Sequence, residues 1–235
     1  MARIIAVMHT HHAPAPNYSL ITLRTAIDAQ DDALLAALTG RQLLVDRIRA
    51  VKTAEGHLVY RPGREAKILR RLFAAADARI DRRLINQMWR EIFSSAIMLQ
   101  EPLTVAVAEI PDSLLREIAR QSFGHAVTLL GDTFDHIMQK LILREVHVAV
   151  VPATPEAICE ILAAITADDS IHIIGLLPFL SNGEPPRAYA IGRVCPEESG
   201  DDITLVRDGN EIKWMDGFHL DAPGWLGIVP RPWKI

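Results

Sequence analysis

The sequence predicts a multidomain protein that combines the α and α/β classes. An all-helical domain is expected over residues 19–101 and an α/β domain, with a parallel or mixed sheet, over residues 102–235. In the first segment, apolar residues recur at three-, four- and seven-residue spacing, as in amphipathic helices. After Pro102, short apolar strands alternate with helical segments. The charge changes at the same point, because residues 1–101 carry a formal net charge of +5 and residues 102–235 one of −9.

The composition is that of an ordinary soluble globular protein, since 49% of the 235 residues are apolar and 23% are charged. Cys159 and Cys195 are far apart and form no CxxC pair, so neither a disulfide framework nor a zinc site is expected. Residues 1–18 are predicted to be an N-terminal tail, with an apolar run too short for a signal peptide or a membrane span. We therefore expect a cytoplasmic protein with no membrane partner.

The first predicted helix covers about residues 19–54. Ser19 can cap its N terminus, and no proline follows before Pro62. At 1.5 Å per residue the helix would be roughly 50 Å long, which exceeds the width of a ~100-residue globule. A second chain would cover its apolar stripe, so the sequence predicts a homodimer. The stripe consists of Leu20, Leu23, Ile27, Leu34, Leu38, Val45, Ile48 and Val51.

Two shorter helices are predicted after this one. The break at Arg61-Pro62-Gly63 separates the first helix from a second helix over residues 64–78. Asp81 can cap a third helix, which Pro102 ends. Together the three helices account for the apolar pattern up to residue 101.

The remaining segment alternates between strands and helices. Asp132 and Thr154 are the expected N-caps of its second and third helices, and Gly209-Asn210 suits a hairpin turn. Its tryptophan-rich C terminus is expected to pack onto the sheet, and the acidic pairs Asp168-Asp169 and Glu197-Glu198 are expected in solvated loops. The predicted helices are 113–121, 132–145 and 154–165. The predicted strands are 104–108, 125–130, 146–151, 171–177, 188–194, 203–207 and 212–215.

A set of polar residues interrupts the first three helices at positions where a helix that only packs would be apolar. Arg41 and Lys52 are eleven residues apart, close to three turns, so both lie on one stripe about 16 Å apart along the axis. Several cations with one amide indicate a pocket for a small, multiply charged anion. The set consists of Arg24, Arg41, Lys52, Arg64, Glu65 and Gln100.

Two other classes of partner are not favoured. The Lys and Arg residues of the basic half are interleaved with acids, which argues against a nucleic-acid surface. His9, His11 and His12 could bind a metal, but an N-terminal tail without a metal is the simpler interpretation. No metal and no cofactor are expected.

The ordered pattern of these residues resembles the all-helical (type II) chorismate mutases, and most closely the mutase domain fused to prephenate dehydratase. The resemblance covers about residues 19–101. It implies an intertwined dimer of three-helix chains that converts chorismate to prephenate in aromatic amino acid biosynthesis, the shikimate pathway. The matching residues are Leu20-x-x-Leu23-Arg24-x-x-Ile27-Asp28-x-x-Asp31, Leu34-Leu35-x-x-Leu38-x-x-Arg41, Lys52, Arg61-Pro62-x-Arg64-Glu65 and Gln100.

The resemblance also implies a role for each polar residue. Arg24 would reach into the pocket of the partner subunit and bind a carboxylate, and Arg41 would bind a carboxylate within its own subunit. Lys52 would contact the ether oxygen and a carboxylate. Gln100 would donate a hydrogen bond to the ether oxygen, and Glu65 would accept one from the ring hydroxyl.

Other positions follow the family pattern less closely. Arg64 belongs to the expected substrate-binding set, more as a support of the site than as a direct contact. The family often has an acidic residue where Arg61 stands and a small hydroxyl residue where Ala96 stands. Ser94 and Ser95 lie on other faces of the helix and do not replace that hydroxyl.

The residue types suit a unimolecular pericyclic (Claisen) rearrangement. Such a reaction needs no nucleophile, metal or proton relay, but it needs a compact conformer of the substrate. Arginines that hold two carboxylates supply this positioning. Lys52 and Gln100 would stabilise the negative charge that grows on the ether oxygen, and this stabilisation is stronger in the transition state than in the ground state.

The α/β half resembles a degenerate prephenate dehydratase domain. The glycine-rich GPxGT turn expected after its first strand is absent, since Ala108-Glu109-Ile110-Pro111-Asp112 stands there. Arg187-Ala188-Tyr189 stands near the position of the expected Thr-Arg-Phe triplet. We therefore predict that this half does not dehydrate prephenate.

Two alternative functions stay open. An isochorismate pyruvate lyase uses a similar helical pocket and would differ in its products. A non-catalytic regulatory protein would bind an aromatic metabolite through its α/β half.

Overall fold

The structure is a computed structural model that describes residues 19–52, 60–111 and 114–235. The predicted tail with its three histidines, and the last two residues of the predicted first helix, lie outside the described residues. The chain divides into two compact units, residues 1–50 and residues 51–235. The domain boundary expected after residue 101 stays a prediction from the sequence.

The element order confirms a helical N-terminal region followed by an α/β region. The helices are α1 (Leu20–Lys52), α2 (Pro62–Ala75), α3 (Arg82–Gln100), α4 (Leu115–Phe123), α5 (Phe134–Ile142) and α6 (Pro155–Ala167). The strands are β1 (Thr104–Ala108), β2 (Thr128–Asp132), β3 (Val148–Pro152), β4 (His172–Leu177), β5 (Leu180–Ser181), β6 (Ala188–Gly192), β7 (Asp202–Asp208), β8 (Glu211–Asp216), β9 (Trp225–Pro230) and β10 (Trp233–Lys234).

Helix α1 is continuous over 33 residues. The hydroxyl of Ser19 accepts a hydrogen bond from the backbone N–H of Thr22 at 3.1 Å, which confirms Ser19 as the cap. Gly40 does not interrupt the helix. Large side chains of the predicted apolar stripe are exposed, and these include Leu20, Leu23, Ile27, Leu34, Leu38 and Ile48.

Helices α2 and α3 share a small apolar core of their own. The second helix begins at Pro62, two residues earlier than predicted, because the fixed φ of proline suits the first turn of a helix. Asp81 caps α3 as predicted, since its side chain accepts a hydrogen bond from the backbone N–H of Arg83 at 2.8 Å. The core between the helices comprises Ala66, Leu69, Phe73, Ile85 and Phe93, and Phe179 completes it.

The main sheet has five strands in the order β2-β1-β3-β6-β4. Strands β1, β2 and β3 are mutually parallel, whereas β6 runs antiparallel to both of its neighbours. The sheet is therefore mixed, as the sequence predicted. Strand β3 is an almost fully buried apolar run, as expected for a strand covered on both faces.

A second sheet has the order β8-β7-β9. The predicted hairpin is present, because Asp208 pairs with Glu211 across Gly209-Asn210 and Gly209 has a φ of 62°. Strand β9 was not predicted as a strand. The segment from Trp225 pairs antiparallel with β7 and is part of this sheet instead of packing onto one as a tail.

Three local predictions in the α/β region were wrong. Thr133, not Asp132, is the N-cap of α5, while Asp132 accepts hydrogen bonds from Lys140 and His136. The acidic loop residue Asp168 is held by Arg193 at 2.7 Å and by Ser170 at 2.6 Å. Glu197 also has a partner, described with the candidate site below. Charged loop residues with partners of this kind cannot be recognised from local sequence.

Within the described residues, none of the helices combines the length and the apolar character that a membrane span requires.

Two neighbouring leucines test the packing of α5. Leu141 has no exposed surface, whereas Leu143 is 67% exposed. We expect Leu141→Ala to lower the free energy of unfolding by about 2–5 kcal/mol, because it removes buried methyl groups and leaves a cavity. Leu143→Ala, the matched control, should change it by less than about 0.5 kcal/mol. Urea unfolding followed by circular dichroism measures both, and equal effects would contradict the described core.

Candidate active site

The first turn of α2 carries two of the predicted site residues, Arg64 and Glu65. The segment around Glu197 packs directly against this turn. A side chain at Gly63 would collide with the carbonyl oxygen of Glu197, so only glycine allows this approach. Arg61 donates two hydrogen bonds to the Glu197 carboxylate, one of them from Nε to Oε2 at 2.9 Å. Arg61, the basic residue at a position where the family often has an acid, thus anchors the start of α2.

Glu65 is buried between α2 and α3, where it forms an ion pair with Arg90. Nη1 of Arg90 donates to Oε2 of Glu65 at 2.6 Å, and the two residues are only 8% and 7% exposed, respectively. Burial raises the pKa of Glu65 to about 7, and the charge and the hydrogen bond of Arg90 only partly oppose this effect. Near neutral pH the carboxyl group can therefore either donate or accept a hydrogen bond.

Tyr60 is a buried neighbour of this pair. Burial raises the pKa of its hydroxyl, and the negative charge of Glu65 acts in the same direction. Its ring lies 5.4 Å from the ring of Phe123 at the end of α4. Glu65 and Tyr60 are thus two ionisable groups buried near each other, away from bulk water.

Gln100 is the last residue of α3. Its Nε2 donates to the carbonyl oxygen of Ala96 at 2.9 Å. An amide nitrogen carries two hydrogens, so this bond leaves the second hydrogen for another acceptor. Ala96 is buried, and the hydroxyl of nearby Ser94 donates to the carbonyl oxygen of Glu91 at 3.0 Å. Ser94 therefore does not supply the hydroxyl that Ala96 lacks.

Three predicted cations belong to α1. Arg24 is exposed, and burial lowers the pKa of Arg41. Lys52 ends the helix, and its side chain lies outside the described residues. Because α1 is continuous, Arg41 and Lys52 are about 16 Å apart along its axis and Arg24 and Lys52 about 42 Å apart.

The sequence pattern did not identify Arg90 as the charged partner of Glu65. A signal for it does exist, because Arg90, Phe93 and Ile97 lie at i, i+3 and i+7 on one face of α3. Phe93 and Ile97 are buried, and a charge on such an apolar face indicates a buried partner.

Among the described residues, no group of three or more His, Cys, Asp or Glu side chains is arranged to hold a metal ion. The predicted site residues are four cations, one amide and one carboxyl group, namely Arg24, Arg41, Lys52, Arg64, Gln100 and Glu65. Side chains of these types can bind a small polycarboxylate.

Residues 23–101 match the family model of chorismate mutase type II, so this region is similar to the mutase domains of that family.

Curated proteins whose names give two activities also match part of the chain. The chain is 30% identical over 139 residues to a bifunctional chorismate mutase/prephenate dehydratase of Stutzerimonas stutzeri and, over the same length, to one of Pseudomonas aeruginosa. In both cases the match covers 57% of this chain and 38% of the relative. A protein of the same name from Neisseria gonorrhoeae is 29% identical over 134 residues, covering 57% of this chain and 36% of the relative.

The chain therefore matches less than two fifths of the length of these relatives. The aligned segments are longer than residues 1–101, so they extend into the α/β region.

Two solved structures are also similar to the chain. One is a prephenate dehydratase from Streptococcus mutans, with 17% identity and a TM-score of 0.33 over 44% of this chain and 57% of that one. The other is GqqA, described as a novel type of quorum quenching acylase, with 18% identity and a TM-score of 0.30 over 43% and 55% of the two chains.

The buried carboxyl of Glu65 should make stability depend on pH. Its folded pKa of about 7 is above the ordinary value of 4.5, so the folded chain keeps a proton that the unfolded chain releases. This stabilising contribution is fully present below about pH 4.5 and is lost as the pH rises through about 7. Between about pH 5 and 8, the wild type should therefore lose unfolding free energy relative to Glu65→Gln, which cannot titrate.

Urea unfolding of both proteins at several pH values measures this difference. Glu160→Gln is the matched control, because Glu160 is exposed on α6, and its pH dependence should follow the wild type. If the wild type and Glu65→Gln gave parallel curves, Glu65 would not titrate in this range.

Proposed function

We propose that this protein is a chorismate mutase that converts chorismate to prephenate in aromatic amino acid biosynthesis. The observation that carries the proposal is the type II mutase match over residues 23–101, which contains the complete ordered set of polar residues. The proposed set is Arg24, Arg41, Lys52, Arg64, Glu65 and Gln100.

In this proposal the protein acts on chorismate by positioning and electrostatics. Arg24 and Arg41 hold the two carboxylates and so select the compact conformer. Lys52 and the second amide hydrogen of Gln100 point at the ether oxygen, where negative charge develops. Glu65 meets the ring hydroxyl, and its raised pKa lets the carboxyl serve this bond in either protonation state.

A homodimer is part of the same proposal. Arg24 and Lys52 of one chain are about 42 Å apart on a continuous helix, so a ligand the size of chorismate cannot contact both. A second chain therefore has to supply one of them. The midpoint of these two positions is Leu38, whose side chain is 44% exposed. A two-fold axis near Leu38 would set Arg24 beside Lys52 of the second chain and cover the apolar stripe of α1.

The α/β half is proposed to lack prephenate dehydratase activity. A side chain at Gly131 on β2 would collide with the carboxylate of Glu109, which follows β1. The backbone N–H of Glu109 also donates to the carbonyl oxygen of Asp132 at 2.9 Å. Ligands of α/β sheets bind at this carboxyl edge of the strands, and the acidic side chain of Glu109 there opposes a substrate with two carboxylates.

The reaction is proposed to take place in the cytoplasm. Cys159 and Cys195 are both free and exposed, which suits a reducing compartment.

Removal of Lys52 tests the proposed chemistry. We expect Lys52→Ala to lower turnover of chorismate by about 100- to 1000-fold, because it removes a donor aimed at the ether oxygen. Lys67→Ala is the matched control, since Lys67 is exposed on α2 and lies outside the proposed set. The assay follows loss of chorismate and identifies the products.

The products separate the alternatives. Prephenate should accumulate without further dehydration. Release of pyruvate from isochorismate would favour the lyase, and binding of aromatic metabolites without turnover would favour a regulatory protein. If Lys52→Ala and Lys67→Ala turned over chorismate equally, the proposed role of Lys52 would be wrong.

Mixing two inactive variants tests whether Arg24 acts in the partner's pocket. A heterodimer of Arg24→Ala and Lys52→Ala chains has one pocket with both residues intact and one that lacks both. After denaturation and joint refolding in equal amounts, activity should return to about a quarter of the wild-type level, since half of the dimers are mixed. Each variant refolded alone is the control. No recovery in the mixture would mean that each chain supplies its own Arg24.

A further inference from the structure

A cavity of about 260 Å³ lies beside the first half of α3, apart from Gln100 at the other end of that helix. Arg83, Asn86, Gln87 and Arg90 follow one another at i, i+3, i+4 and i+7, so they form a continuous polar face along one wall. Arg83 and Gln87 are exposed, Asn86 is half-buried and Arg90 is buried, so this face extends from the solvent toward the core.

The opposite wall is partly apolar. Phe179 and Leu180, at and just before the start of β5, line the cavity, with Asn182 next to them. The guanidinium of Arg90 lies 5.7 Å from the centre of the Phe179 ring, within the range of a cation–π contact. Gln121, near the end of α4, adds another amide.

Two buried polar atoms beside this cavity lack partners among the described residues. One is Nε of Arg90, a donor on a side chain that is only 9% exposed, and the other is Oδ1 of Asn86, an acceptor. Nη1 of the same Arg90 is already bound to Glu65. Buried polar groups are almost always hydrogen-bonded, so this pair of atoms indicates a missing acceptor and a missing donor.

The side chains that line the cavity favour an anion. Glu65 offsets Arg90, but Arg83 is exposed, and none of the described lining residues has an acidic side chain. A carboxylate would satisfy the donors of Arg83 and Arg90. A hydroxyl or ammonium group on the same ligand would satisfy the oxygen of Asn86.

We propose that this cavity binds a small carboxylate that also carries a hydroxyl or ammonium group and an apolar side chain. The volume limits the ligand to about the size of an amino acid, below the usual range of drug-sized pockets of roughly 300–1,000 Å³. This site does not rest on the proposed mutase function, because it uses none of the proposed mutase residues.

Isothermal titration of the full chain with four compounds of one skeleton tests the proposal. L-Phenylalanine carries the carboxylate and an ammonium group, and L-3-phenyllactate carries the carboxylate and a hydroxyl group. 3-Phenylpropionate lacks the donor, and phenethylamine lacks the carboxylate. At least one of the first two should bind, and the last two should bind about tenfold more weakly or not at all. The comparison of the first two shows which donor the site prefers.

Variants then locate the site. Arg83→Gln should weaken binding about tenfold through loss of a charged hydrogen bond, and Asn86→Leu should weaken it by a similar factor. Arg71→Gln, an exposed arginine of α2 that does not line the cavity, should bind as the wild type does. Arg83 is exposed, so its replacement should not disturb folding, and a thermal melt checks both variants.

Two results would overturn the proposal. One is no binding of any of the four compounds at millimolar concentration. The other is equal binding by the wild type, Arg83→Gln and Asn86→Leu. Equal binding of 3-phenylpropionate, L-3-phenyllactate and L-phenylalanine would exclude the proposed contact with Asn86.

Discussion

The constraint on which the proposed function depends is a 33-residue helix that exposes most of its apolar stripe. A helix of this length cannot bury such a stripe against itself, and hydrophobic burial is the main favourable term in folding. The same length separates Arg24 from Lys52 by about 42 Å. An antiparallel helix from a second chain would cover the stripe and also bring Arg24 near Lys52. A two-fold axis near Leu38 places each residue beside the residue of the partner helix that lies equally far on the other side of Leu38. In the proposed dimer, covering the stripe and assembling the pocket are therefore one event.

The ion pair between Glu65 and Arg90 fixes the positions of the two side chains more than it stabilises the fold. A buried pair of this kind often contributes no more than well-packed apolar residues of similar size, because both charges lose their water. Breaking it from one side would cost about 3–5 kcal/mol, so the pair fixes the geometry of both side chains. It holds the carboxyl of Glu65 between α2 and α3, where burial raises the pKa of that carboxyl to about 7 although the charge of Arg90 lowers it. Arg90 also lines the neighbouring cavity, and its Nε has no partner among the described residues, so one guanidinium borders two polar environments.

The local sequence pattern predicted most helices and strands, but it did not predict which strands pair or which side chains meet. The Ser19 and Asp81 caps follow from side-chain chemistry within three residues, and both are present. The position of β6 between β3 and β4 is a long-range pairing that no local signal encodes. Strand β9 was missed because flanking prolines and tryptophans favoured a packed tail. Residue types and spacing predicted Glu65 as a site residue. Its partner Arg90 is 25 positions away, and their contact depends on how α2 and α3 pack.

The α/β half has a structural role that does not require chemistry of its own. The core between α2 and α3 is closed by Phe179, and Trp233 lies 5.4 Å from the ring of fully buried Phe73. Arg70 of α2 donates to the backbone oxygens of Asp201 and Arg231 at 2.8 and 2.6 Å. Two short amphipathic helices alone bury too little surface to offset their conformational entropy. The α/β half therefore holds Arg64 and Glu65 in place even without the glycine-rich turn of the dehydratases. The first turn of α2 carries both residues, and Arg61 anchors this turn to Glu197.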